Sequence, residues 1–119
     1  LIGGAGADQF HFNDLAFGGA DLIVDFSSGA GDSIYLNSTI FTLLGAPGTL
    51  GAGSFVSAGG VDDAGLANQA YVLYDTDTGA LYYDATGGAV AGDAVQFAQM
   101  GLQDLVGPPA VTNTDIILI

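Results

Sequence analysis

The sequence predicts an all-β fold, and three observations carry that expectation. Twenty glycines are spread along the 119 residues and separate short apolar runs rich in Val, Ile, Phe and Tyr. The run Gln9-Phe10-His11-Phe12 alternates, which places Phe10 and Phe12 on one face of a strand and Gln9 and His11 on the other. No stretch carries a long helical period. The length suits one domain with a core, and no boundary is read inside it.

Taken in order, residues 1–14 open with Leu1-Ile2, a glycine-rich turn and the alternating strand. A loop at residues 17–20 leads to a strand over residues 22–26. A turn over residues 27–32 precedes a strand over residues 33–36. Residues 39–70 are the least readable, with Pro47, a short strand expected at Phe55-Val56 and a helical turn expected near residues 62–67. Tyr71-Val72-Leu73-Tyr74 and Ala80-Leu81-Tyr82-Tyr83 flank Asp75-Thr76-Asp77-Thr78-Gly79, a hairpin composition with Gly available for positive φ. A glycine-rich turn over residues 87–92 precedes a strand over residues 95–98. Pro108-Pro109 marks a break, Thr112-Asn113-Thr114-Asp115 fits a capping box, and an apolar run closes the sequence over residues 116–119.

Charge narrows the function classes. Thirteen acidic residues, all Asp, face no Lys or Arg. Phosphate neutralisation needs cationic side chains, so nucleic acid is nearly excluded as a partner and anionic membrane surfaces are disfavoured. Apart from His11, no side chain offers a carboxylate an ion pair. The carboxylates are therefore solvated, bonded to backbone N–H groups or paired with an exogenous cation. Asp suits tight oxygen cages, which makes a hard cation such as calcium the natural candidate, beside the plainer reading of an acidic soluble surface. Cysteine is absent, so neither disulfides nor thiolate metal sites contribute. No apolar run approaches the roughly 18 residues of a membrane span. The chain opens at Leu1 without Met or a leader, as expected of a piece of a longer protein.

Residues 3–11, Gly3-Gly4-Ala5-Gly6-Ala7-Asp8-Gln9-Phe10-His11, fit Gly-Gly-x-Gly-x-Asp-x-U-x with U a large apolar residue, the calcium-binding nonapeptide of RTX (repeats-in-toxin) proteins. Glycines allow left-handed turns that point carbonyl oxygens inward, and Asp8 adds a carboxylate to the cage. One copy is half a site, because each ion sits between successive turns. The order that follows strengthens the likeness: Asp21-Leu22-Ile23-Val24-Asp25-Phe26, then Gly31-Asp32-Ser33-Ile34-Tyr35-Leu36. It resembles the end of the β-roll in serralysin-type and other RTX proteins, departing at Ser33 and Tyr35, where that family often has Lys and Asp. Thr78-Gly79-Ala80-Leu81-Tyr82-Tyr83-Asp84 and Ala94-Val95-Gln96-Phe97-Ala98 resemble the capping hairpin of RTX C-terminal regions. Asp115-Ile116-Ile117-Leu118-Ile119 resembles a type I secretion tail.

The resemblance implies the last turns of a right-handed parallel β-roll over residues 1–38, continued by an antiparallel β cap or sandwich over residues 39–119. It implies calcium held by Gly3, Gly6, Asp8, Asp14 and Asp21, with Asp32 a poor ligand and Asp25 either a supporting or a surface carboxylate. It also implies a non-catalytic, secreted or cell-surface bacterial module, with upstream repeats of the same chain and the type I exporter as partners. A parent enzyme such as a protease or lipase would lie elsewhere. The alternative is a structural, adhesive or carbohydrate-binding module, in which exposed tyrosines of the hairpin would stack on sugar.

Other candidates are weaker. His11 has no triad partner and no second His, and is expected to face water. The close pairs Asp62-Asp63 and Asp75/Asp77 sit in turn-like sequence, against an acid–base pair for glycoside hydrolysis. Residues 75–79 lack the remaining ligands of an EF-hand loop. Residues 87–92 lack the Lys of a phosphate loop.

Overall fold

Alternation settles the first strand. In the computed structural model, which describes residues 1–14, 19–61, 69–87, 93–101 and 108–119, β1 spans Gln9–Phe12 with Phe10 and Phe12 buried and Gln9 and His11 exposed. β2 covers Asp21–Ile23, two to three residues short of the run expected. It stops there because Val24 turns its N–H to the Leu1 carbonyl and Asp25 accepts the N–H groups of Gly3 and Gly4. Phe26 is still buried and packs on Phe10. The expected turn is a 3-10 segment, Ser28–Ala30, released by Gly31 at φ +96°. β3 follows at Ser33–Leu36.

The remaining strands are β4 (Gly48–Thr49), β5 (Phe55–Ala58), β6 (Tyr71–Asp75), β7 (Ala80–Asp84), β8 (Val95–Met100) and β9 (Ile116–Leu118). The hairpin of β6 and β7 stands where the turn chemistry places it, with Gly79 at φ +80°. The strand expected at Phe55-Val56 is β5, and it pairs parallel to β6. β4 was not foreseen. The capping box closes a three-residue 3-10 turn, Asn113–Asp115, where the Asp115 carboxylate accepts the Thr112 N–H at 2.8 Å. The expected helical turn near residues 62–67, and most of the loop and turn expected at residues 17–20 and 87–92, lie outside the described residues.

Two mixed sheets result, ordered β1-β3-β9-β4 and β2-β8-β7-β6-β5. β1, β3 and β9 run parallel, while β4 is antiparallel to β9. In the second sheet β2 is parallel to β8, and β6, β7 and β8 form an antiparallel meander. Each sheet therefore takes strands from both the first 38 residues and the rest. The described residues are all-β, without α-helix.

The inner faces meet in one core. Phe10, Phe12, Ile34, Leu36, Ile116 and Leu118 come from the first sheet, facing Ile23, Val72, Tyr74, Leu81, Tyr83 and Phe97 of the second. Phe97 lies edge-on to Phe12 and to Phe41, each at 5.2 Å between ring centroids.

What positions the candidate site is the path β1, β2, β3. The chain runs through the first sheet, crosses to the second and returns parallel to its start, with Gln9 opposite Ser33 and Phe12 opposite Leu36. One coil thus spans 24 residues, the offset of every pair in that register. Side chains repeat at the same offset: the Asp8 N–H donates to Asp32, and Asn37 donates to Asn13.

Candidate metal centre

The glycine turn of residues 3–6 leads into β1 with Gly4 at φ +94° and Gly6 at φ +111°, conformations that residues with a Cβ rarely adopt. Gly3 answers a different need. A Cβ there would lie 2.7 Å from Asp8 Oδ2, so only glycine lets the carboxylate fold back onto the turn. Asp8 Oδ2 is enclosed and has no hydrogen-bond partner. A recess of about 240 Å³ opens beside it, lined in part by Leu1, Gly3, Phe10 and His11.

Two further carboxylates brace this end of the coil. Asp25 accepts the Gly3 and Gly4 N–H groups at 2.9 and 2.7 Å, and those bonds hold its pKa below the ordinary carboxylate value. Asp32 is buried, accepting the Asp8 N–H through Oδ1 and the Ser27 N–H through Oδ2, both at 2.9 Å. Both are committed to backbone donors. Asp32, expected to be a poor ligand, ties the turn before β1 to the turn before β3.

The five residues implied as ligands divide in two. Gly3, Gly6 and Asp8 belong to the turn before β1. Asp14 lies exposed after β1, and Asp21 lies exposed at the head of β2, opposite Ala98. The four residues of β1, about 10 Å from first Cα to last, stand between Asp8 and Asp14. Among the described residues, no three His or Asp side chains gather to hold a metal. Asp25 and Asp32, which do reach the Asp8 turn, stand 22 and 24 residues from Gly3 and Asp8. The signal for Asp32 was the repeat of Asp8-Gln9-Phe10-His11-Phe12-Asn13 in Asp32-Ser33-Ile34-Tyr35-Leu36-Asn37, and Asp25 carries no such signal.

A second carboxylate pair is formed by Asp84, the last residue of β7, and Asp93. Asp84 is fully buried and accepts the N–H groups of Thr86 and Gly87, and the Thr86 hydroxyl donates to Asp93 Oδ2 at 2.7 Å. Asp93 Oδ1 is enclosed without a partner. His11 is exposed as expected and stacks on Tyr35 at 4.8 Å. Tyr71, Tyr74 and Tyr83 of the hairpin are buried, so these three do not form a sugar-stacking strip.

The N–H bonds to Asp25 set a pH dependence. Because its folded pKa is depressed, its contribution is present above the unfolded value near 4 and is lost as pH falls through the folded pKa. The stability advantage of the native chain over Asp25→Asn is therefore expected to be constant at neutral pH, to decline below about pH 4 and to vanish only beneath the folded pKa. Urea titrations of both chains between neutral and acid pH check this, and an advantage that persists at low pH contradicts it.

The chain matches no protein-family model, no curated protein and no solved structure.

Proposed function

We propose that this chain is a calcium-binding, non-catalytic module of the RTX type, whose coil is the terminal part of a right-handed β-roll and whose later strands cap it. The observation that carries the reading is Asp8 Oδ2, an enclosed carboxylate oxygen without a donor in a chain that has no Lys or Arg. An enclosed carboxylate oxygen left without a donor is unfavourable, and a cation or an added N–H relieves it. The glycine turn supports a hard cation, since left-handed Gly4 and Gly6 permit a turn tight enough to aim carbonyl oxygens at one.

Asp8 with the Gly3 and Gly6 carbonyls amounts to half of a six- to eight-ligand shell. The other half belongs to an upstream coil of the same protein, stacked on the free edge of β1 and bonded as β1 is bonded to β3. Asp14, beyond the opposite end of β1, and Asp21, at the head of β2, would serve a separate ion.

Calcium-coupled folding follows from charge. A net charge of −13 opposes compaction, and each bound divalent cation relieves part of it. At low calcium the chain stays loose enough for a type I exporter to read the tail over residues 115–119. Outside the cell, sites with dissociation constants of about 10⁻⁴–10⁻³ M fill and the domain closes. The final strand supports this order, because β9 lies between β3 and β4 with Ile116 and Leu118 buried, and it is accessible only before folding.

A calcium titration followed by circular dichroism and calorimetry, with magnesium as control, tests the reading. Calcium is expected to raise β content and thermal stability, and Asp8→Asn to weaken the response at least about tenfold, as loss of a charged ligand requires. Identical melting in chelator and in millimolar calcium would sink it.

A further inference from the structure

We propose that the slot between β3 and β4 is a strand acceptor, and that residues 113–119 of one copy of the chain enter the slot of a second copy. This rests on the strand order and is independent of the calcium reading. β3 and β4 bond to β9 and not to each other, so all main-chain pairing between them passes through that strand. On one side Ile34, Tyr35 and Leu36 stand opposite Ile116, Ile117 and Leu118; on the other, Gly48 and Thr49 stand opposite Leu118 and Ile117. The Leu50 N–H donates to the Ile116 carbonyl and the Ser38 N–H to the Ile119 carbonyl, both at 2.8 Å.

Everything that specifies the fit lies within a few residues. Ile116 and Leu118 fill the core side. Asn113 donates to the Leu50 carbonyl at 2.9 Å, and Asp115 accepts from the Ser28 hydroxyl at 2.7 Å. A segment that carries its own backbone ladder, two apolar anchors and two polar locks is portable between identical slots. One wall of the slot is only two residues long, which lowers the barrier to release. The segment brings a single acidic side chain, Asp115, already hydrogen-bonded in the slot. The repulsion between whole copies, each of net charge −13, is what salt must screen, so exchange increases with ionic strength.

Because the chain lacks cysteine, disulfide trapping reads the exchange directly. Thr49→Cys and Ile117→Cys place thiols on opposed residues of β4 and β9 in separate full-length chains. Co-unfolding, refolding together at high salt and mild oxidation are expected to give the mixed disulfide well above either homodimer, and to give none when the Ile117→Cys chain also carries Ile116→Asp. A mixed disulfide no more abundant than the homodimers, or one unchanged by Ile116→Asp, overturns the proposal. Where either cysteine chain fails to fold by circular dichroism, a labelled peptide of residues 113–119 in excess, refolded together with the unmodified chain so that it competes with β9, decides. Saturable binding that is lost with Ile116→Asp in the peptide supports the acceptor, and no binding overturns it.

Discussion

Replacing Phe97 by alanine is expected to lower the free energy of unfolding by about 3–5 kcal/mol. Phe97 projects from β8 and is fully buried, and its ring meets Phe12 of the opposite sheet and Phe41 of the loop after β3. Phe41 in turn packs edge-on to Tyr83 at 5.2 Å. Deleting the ring removes its transfer free energy and leaves a cavity framed by two aromatic rings and the strands of both sheets, which cannot collapse without moving a sheet. Val95, on the same strand but 42 % exposed, is the control, and Val95→Ala is expected to change stability by no more than about 0.5 kcal/mol. Urea unfolding in calcium buffer measures both. A loss under about 1 kcal/mol at Phe97 would mean that the sheets do not interlock there.

Asp32→Ala is expected to cost about 3–5 kcal/mol by a different route. The carboxylate receives one backbone N–H on each oxygen, and hydrogen bonds to a charged group contribute about 1.5–3 kcal/mol apiece. Alanine also strands the Asp8 and Ser27 donors in a partly buried turn, where an unmade bond carries the full desolvation penalty. Asp32→Asn restores only one acceptor and turns an NH₂ toward the other donor, so it should fall close to alanine. Hydrogen exchange gives the local signature: the Asp8 and Ser27 amides lose protection while the β6–β7 hairpin keeps its own. If Asn is as stable as Asp, the charge is not what holds the two coils together.

These two positions show how unequally the fold was written in local sequence. Phe12 and Phe97 lie in runs whose apolar side chains and flanking turns name them as strands before any partner is known. The hairpin of β6 and β7 is legible for the same reason, since Gly79 and its polar neighbours form the turn by themselves. β4 has no such signal: Gly48 and Thr49 are a strand only because β9 offers them hydrogen bonds from some 70 residues away. β2 is shorter than its apolar run because Asp25 leaves it to collect two N–H groups from the glycine turn.

The same division runs through the candidate site. Sequence alone determined an all-β chain without cationic side chains, a glycine turn able to aim carbonyls, and Asp8 as the carboxylate beside it, because backbone freedom and charge are properties of single residues and short spacings. Only the tertiary structure decided which other carboxylates share that turn. The 24-residue coil carries Asp25 and Asp32 back to it, while β1 stands between Asp8 and Asp14. Distances of that kind depend on how far the chain travels before it pairs with itself, which no local pattern records.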